Sequence, residues 1–344
     1  MENFIKKNEA ALILTPQNRR YFSGFNSSDG VLLITKKSRK LFVDTRYILA
    51  AKKASLKAEV FLLDNIKEQI NIILSEESIE KVYLEFENTY YDTARFSKLN
   101  AKTVVSEQLS EYIKKLREVK SGEEMLFIKQ SLNIAETALE NTLKIVKPGL
   151  TEREVAAHLE YEMRKLGSEE TAFSTICLTG AKSAMPHGET DDTVIKKGDA
   201  LLFDFGATKN GYRSDISRTF FVGKPKNEFI KCYEAVLSSV LVGEAVISAG
   251  ANASFCDKAA RNALQEYEPY FTHSLGHGVG LDIHEMPYLS KKATGTLKEG
   301  NVVTVEPGVY LEGKFGIRIE DMVAVFTGGN EVFTKFPKKL INLS

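Results

Sequence analysis

Cysteine is scarce in this 344-residue chain: Cys177, Cys232 and Cys256 are its only three. They are too few and too far apart for a disulfide framework or a CxxC metal site, so a reducing compartment is expected. A surplus of one charge is missing as well. Lys plus Arg number 46 and Asp plus Glu number 46, a formal net charge of zero. No global field therefore draws the chain to nucleic acid or to an anionic membrane. Long apolar runs are absent too, since nothing approaches the ~18 residues of a membrane span. The stretch Ala10 to Leu14, with Glu2 and Glu9 ahead of it, is shorter than the apolar core of a secretory signal. We expect a cytoplasmic protein with no nucleic-acid or membrane partner. What is present is a globular composition, 43% hydrophobic and 27% charged, in a chain long enough for two domains of roughly 150 residues.

Two halves differ in pattern. In the first, short apolar runs alternate with helical stretches: Ala11 to Leu14, Gly30 to Ile34, Lys40 to Val43 and Lys81 to Leu84 read as strands of an α/β domain over residues 1–118. A charged, helix-favouring segment from Glu107 to Lys129 predicts a linking helix. A second long helix is expected from Ser121 to Val146, stopped by Pro148-Gly149. Thr151 followed by Glu154 predicts a capping box opening another. Beyond Gly167 the period drops toward two and glycines cluster, with helices expected again over Val222 to Ala249 and Ser254 to Tyr267. Residues 119–344 thus read as an α+β domain of hairpins and helices.

The chemistry-bearing residues lie in this second half. Asn210-Gly211 between Leu201–Phe205 and Ile216–Val222 is a strong hairpin signal. A two-residue loop sets Asp204 and Asp215 on one face, directly opposite or one diagonal step apart. Two anions so placed repel unless a cation lies between them. Pairing of Asp215 with Arg213 or Arg218 is the plainer alternative. In a second hairpin, with Glu312-Gly313-Lys314 as its loop, residue 311 faces 315 and Glu306 faces Glu320, approximately so because Pro307 interrupts the ladder. Glu320 could instead bridge to Arg318 or Lys314, but Glu306 follows the apolar run Val302 to Val305, an unsuitable setting for an idle carboxylate. Three of the five histidines, His273, His277 and His284, fall within twelve residues beside Gly276, Gly278 and Gly280. His187 sits in a Met-Pro-His-Gly turn, and His158 lies in a helical pattern and reads as a packed or surface residue.

Asp204, Asp215, His277, Glu306 and Glu320 form an oxygen-rich set suited to Mn(II), Co(II) or Fe(II) rather than to a thiolate zinc site. Four anions balance two divalent cations, and two such ions ~3.5–4 Å apart could share a water, acidify it and polarise a carbonyl. The chemistry implied is hydrolysis.

These residues and their flanks, namely Phe203-Asp204-Phe205-Gly206, Gly211 to Thr219, Gly276-His277-Gly278 through His284-Glu285, Val305-Glu306-Pro307-Gly308 and Gly316 to Asp321, resemble the pita-bread-fold metallopeptidases. Within them the chain is similar to the Xaa-Pro peptidases, aminopeptidase P and prolidase. Asn18 to Gly24, and Ser28-Asp29-Gly30 through Asp44-Thr45-Arg46-Tyr47, resemble the creatinase-type N-terminal domain, which a simple methionine aminopeptidase generally lacks. The resemblance implies an α/β N-terminal domain before an α+β pita-bread catalytic domain. It also implies cleavage between an N-terminal residue and proline, two divalent metal ions (manganese, with cobalt, iron or zinc as alternatives), short peptides with proline second as substrates, and a homodimer. By the same similarity Asp204 would chelate one metal, His277 and Glu306 the other, and Asp215 and Glu320 would bridge both. Glu306 would double as proton shuttle, His187 and His284 would hold substrate and stabilise the tetrahedral intermediate, and His273 and Arg318 would line the pocket. Ser217 stands where Thr is familiar and Met185 where Leu is common. A metal-free peptide- or partner-binding pseudoenzyme and a creatinase-like hydrolase are the alternatives, both at odds with the intact carboxylate set.

Overall fold

The apolar runs of the first 117 residues become strands buried on both faces, as a sheet covered on two sides requires. In the computed structural model, which describes residues 1, 3–54, 57–87 and 90–344 and so leaves Glu2 outside, the chain divides into Met1–Arg117 and Glu118–Ser344. The first unit runs β1 (Glu9–Ile13), α1 (Pro16–Ser23), β2 (Val31–Ile34), β3 (Arg39–Val43), α2 (Ile48–Lys53), β4 (Glu59–Leu62), α3 (Ile66–Glu76), β5 (Lys81–Glu85), α4 (Tyr90–Phe96), β6 (Lys102–Ser106) and α5 (Glu107–Glu118), whose last residue begins the second unit. Its six strands are ordered β4-β3-β2-β1-β5-β6. Ala10, Leu12, Val31 and Leu33 join one core and Ala11, Ile13, Leu32 and Ile34 another. Neighbouring residues on a strand point to opposite faces, so a continuous apolar run serves both cores. The sequence pattern misses β4 and β6. Both are edge strands whose side chains are largely half-buried or exposed, so neither carries a full apolar run.

The second unit contains α6 (Gly122–Leu143), α7 (Glu152–Lys165), β7 (Ile176–Thr179), β8 (Ala200–Phe205), β9 (Thr208–Lys209), β10 (Tyr212–Arg213), β11 (Ile216–Val222), α8 (Asn227–Ala245), α9 (Ala253–Ala263), β12 (Gly276–Gly278), β13 (Glu285–Leu289), β14 (Val302–Val305), β15 (Gly308–Leu311), β16 (Phe315–Arg318), β17 (Asp321–Phe326), β18 (Gly329–Val332) and β19 (Asn342–Leu343). The charged stretch after Glu107 is two helices, because Ser121 caps α6 through a reciprocal bond pair with Glu124 and forces a break before it. Thr151 and Glu154 form the expected box on α7. Two helices are shorter than their patterns. Val222 ends β11 and α8 starts only after the Gly223 turn, while the stretch beyond α9 tightens into a 3₁₀ turn from Gln265 to Tyr270. Among the described residues no helix is long and apolar enough to cross a membrane. The three cysteines are buried and unpaired.

One sheet is ordered β19-β11-β8-β7 and another β13-β12-β14-β17-β18. Asn210 and Gly211 take the positive φ values, 49° and 76°, of the expected two-residue turn. Lys209 faces Tyr212, and beyond a gap Asp204 faces Ser217, which sets Asp215 one diagonal step from Asp204. The second hairpin behaves likewise. Leu311 faces Phe315 and Gly308 faces Arg318; beyond a gap Val305 faces Asp321 in unchanged register. Glu306 and Glu320 fall inside that gap rather than in a ladder. The Glu306 N–H donates to Leu275 O at 2.8 Å and the Glu320 N–H to Ser217 O at 3.1 Å.

At the first gap the backbones nearly touch, and a Cβ on Gly206 would run into the Ser214 carbonyl. Ser214 is itself tied to Ala207, its N–H donating to the Ala207 carbonyl at 3.0 Å. Gly206→Ala should therefore lower stability by about 1–3 kcal/mol. A chemical denaturation midpoint equal to that of the unmodified chain would contradict this close approach.

Candidate metallopeptidase site

The two interrupted hairpins and strand β12 converge on a cavity of about 300 Å³. Every residue singled out for chemistry lines it: His187, Asp204, Asp215, His273, His277, His284, Glu306, Arg318 and Glu320. His158 lies elsewhere, its Nδ1 3.3 Å from the Thr142 hydroxyl. The plainer pairings do not occur. Arg213 bonds to Glu170 and to the carbonyls of Ala172 and Leu281, Arg218 pairs with Asp321 and Lys314 with Glu228.

At the centre, Asp215, His277 and Glu320 each offer one ligand atom, all within 4.8 Å of one another. His277 Nε2 lies 3.6 Å from Asp215 Oδ2 and 3.3 Å from Glu306 Oε1. Its Nδ1 is 3.1 Å from Gly278 O; a carbonyl can only accept, so Nδ1 donates and Nε2 faces the carboxylates. Thr304 orders both partners, accepting from the His277 N–H at 3.0 Å and donating to Glu306 at 3.1 Å. Ser217, at the familiar Thr position, donates its hydroxyl to Glu320 Oε2 at 2.7 Å. Asp204 lies to one side, its Oδ2 held by Arg318 Nη2 at 2.6 Å.

The charges do not sit comfortably. Burial pushes the Asp215 and Glu320 carboxyls well above the usual carboxylate range, and their anionic neighbours push them further. Asp204 is also raised, by burial and by Glu306 against the opposing pull of Arg318. Glu306 goes the other way: burial would raise it, yet the hydrogen bond and charge of His277, with His273 and Arg318 behind, bring it down to about 2. Burial lowers His273 and His284. Asp204 Oδ1 and Glu320 Oε1 are buried without a hydrogen-bond partner among the described residues. Orphaned carboxylate oxygens beside clustered anions and an aimed imidazole are the donor set of a divalent-cation site, so the residues fit such a group.

Sequence reasoning passed over the cavity's other parts. Tyr310 on β15 bridges the wall, its hydroxyl 2.9 Å from His273 Nε2 and accepting from Arg318 Nη1 at 2.7 Å. Phe173, Ile176, Ile283 and Tyr288 supply apolar surface. None carried a signal, since an aromatic or aliphatic residue reads alike in sequence whether it fills a core or lines a cavity.

Residues 127–326 match Metallopeptidase family M24 and residues 6–119 the Creatinase/Prolidase N-terminal domain. The chain is 35% identical over 346 residues to the Xaa-Pro dipeptidase of Pyrococcus horikoshii, covering 98% of this chain and 96% of that protein. Among solved structures, an Xaa-Pro dipeptidase from Bacillus anthracis superposes with a TM-score of 0.92 at 37% identity, covering 97% of this chain and 95% of the other. An X-Pro aminopeptidase from Thermotoga maritima gives 0.92 at 35%, covering 99% of each. Family membership accounts for the paired domains: the chain belongs to metallopeptidase family M24 and carries a creatinase/prolidase N-terminal domain in front of its catalytic domain.

Proposed function

We propose that the protein is a metal-dependent exopeptidase that cleaves the bond between an N-terminal residue and a following proline, as an Xaa-Pro dipeptidase or aminopeptidase. The observation that carries it is the convergence of Asp204, Asp215, His277, Glu306 and Glu320 on one cavity, with two of its buried carboxylate oxygens unpartnered among the described residues. Relatives named Xaa-Pro dipeptidase and X-Pro aminopeptidase support the proline preference. Nothing in the cavity favours the metal-free pseudoenzyme. The reading extends to a homodimer in the cytoplasm, the compartment to which the buried, unpaired thiols are suited.

Two divalent cations, manganese first, would be held by those five side chains and would activate a water and polarise the scissile carbonyl. Glu306, ionised at neutral pH, takes the proton from the attacking water and returns it to the departing proline nitrogen. His187 and His284 hold the substrate and donate N–H to the oxygen that gains charge. A neutral imidazole suffices for this, in keeping with the lowered value of His284. Arg318 fixes Asp204, and Tyr310, pushed up to about 12 by burial, stays a protonated donor between Arg318 and His273. Phe173, Ile176, Ile283 and Tyr288 give the proline ring an apolar wall.

The deciding experiment is hydrolysis of Ala-Pro, Ala-Pro-Pro and Ala-Ala-Ala by chelator-stripped protein with and without Mn(II). Metal-dependent cleavage of one or both proline peptides is expected, Ala-Pro alone marking a dipeptidase. Turnover of Ala-Ala-Ala removes the proline preference, and no turnover of any removes the activity. Asp215→Asn, which deletes one of the four negative charges that would hold the cations, should abolish turnover; more than about a tenth of the activity remaining would contradict a two-cation centre.

Stability should report the same centre. With Asp204, Asp215 and Glu320 raised, the cation-free fold binds more protons than the unfolded chain. Its stability falls as pH rises from the unfolded carboxylate range, ~4, through the raised values. The lowered Glu306 contributes the opposite trend, but only below that range. Cation binding displaces those protons and strengthens over the same window. The melting-temperature gap between Mn(II)-loaded and chelator-treated protein should widen from about pH 5 to about pH 8, and a constant gap would count against the assignment.

A further inference from the structure

We propose that Lys120, in the joint between α5 and α6, is a positioning residue for His284 and acts through a buried ion pair with Glu285. This rests on reading His284 as a substrate-holding imidazole. Lys120 Nζ lies 2.6 Å from Glu285 Oε1, with side-chain exposures of 1% and 10%. Such a pair loses more on desolvation than an apolar pair of the same size, so its presence asks for a role. The lysine is anchored independently of its partner. Its N–H donates to Gly300 O at 2.7 Å, and Asn301 Nδ2 donates to the nearby Glu118 carbonyl at 3.0 Å.

Glu285 opens β13 opposite Gly278, so residues 278–285 form a loop closed at its base. The Glu285 carboxylate lies across Gly280, where a Cβ would overlap it. The Gly280 N–H donates to Asp282 O at 3.0 Å, and its carbonyl accepts from the Arg213 N–H at 2.8 Å. The loop is thus wrapped around a carboxylate whose charge Lys120 meets. His284 precedes that carboxylate by one residue and lines the cavity. Among the described residues no hydrogen bond holds its ring, which packs edge-on against His277 with centroids 4.3 Å apart. Its aim therefore comes from the backbone at 284–285, and the Lys120–Glu285 pair sets that backbone.

The test combines Lys120→Met with Glu285→Gln, which removes both charges together and leaves no lone buried ion. On Ala-Pro, kcat should fall about 10–100-fold with KM within about twofold, the pattern of a lost outer contact that matters in the transition state. In a His284→Ala background the same pair of changes should alter kcat by less than about twofold. An equal loss in both backgrounds overturns the proposal. If His284→Ala itself leaves kcat unchanged, the reading of His284 fails instead. The positioning claim is then decided by NMR of the histidine rings, where the His284 and His277 signals should move in the double variant and the His158 signal should not; an unmoved His284 signal overturns it. Should the double variant not fold, Glu285→Gln alone enters the same cycle and the same spectra, with the same outcomes deciding.

Discussion

Four carboxylates and one guanidinium share a single buried cavity, and the surrounding structure answers that crowding of negative charge. Two unit charges 4 Å apart interact by about 4 kcal/mol at an effective dielectric near 20, so the group persists only with counter-charge at hand. Arg318 neutralises Asp204 and His277 faces Glu306. Burial and the neighbouring anions push the Asp215 and Glu320 carboxyls up, toward the protonated form. The hydroxyls of Ser217 and Thr304 order the carboxylates without adding charge. A cluster of this kind on the surface would be cheap and unselective. Buried, it is costly without counter-charge, which divalent cations would supply.

Two broken hairpins bring the anions together. In an unbroken ladder, Glu306 and Glu320 would spend their backbone groups on each other. In the gap their N–H groups turn to Leu275 and Ser217, joining the strand pair to the segments that carry His277 and Asp215. Behind the gap, Arg218 donates to Glu320 O at 2.6 Å and to Asp321 Oδ1 and Phe336 O at 2.7 Å. Lys338 pairs with Asp321 and Glu244, and Glu244 is pushed up to about 7 by burial and by Asp321. The irregular backbone that carries Glu306 and Glu320 is thus held by an ionic network, where no ladder remains to hold it.

Much of this was readable from the chain alone because the relevant rules are local. Asn210-Gly211 specified a turn, and the turn put Asp204 and Asp215 on one face, directly opposite or one diagonal step apart; the structure shows the diagonal step. The short Glu312-Gly313-Lys314 loop did the same for Leu311 and Phe315. The capping boxes at Ser121 and Thr151 announced helix starts through residues three apart. The edge strands β4 and β6 escaped notice because half-exposed strands lack the apolar run that marks central ones. Tyr310, Phe173 and Tyr288 escaped because an aromatic residue looks the same in sequence whether it fills a core or lines a cavity.

By itself the sequence determined the central strands of the first unit, the capped helix starts, the hairpin registers and the inventory of acids and imidazoles, since each depends on residues close to one another in the chain. Only the tertiary structure decided which charges meet. Asp215, His277 and Glu320 converge from segments far apart in the chain, and Arg318 turns to Asp204 rather than to Glu320, two residues on in the chain. Lys120 reaches Glu285 from a helix joint. Charge compensation depends on distance in space and on the exclusion of water, and both are set by the packing of sheets against one another rather than by any local pattern.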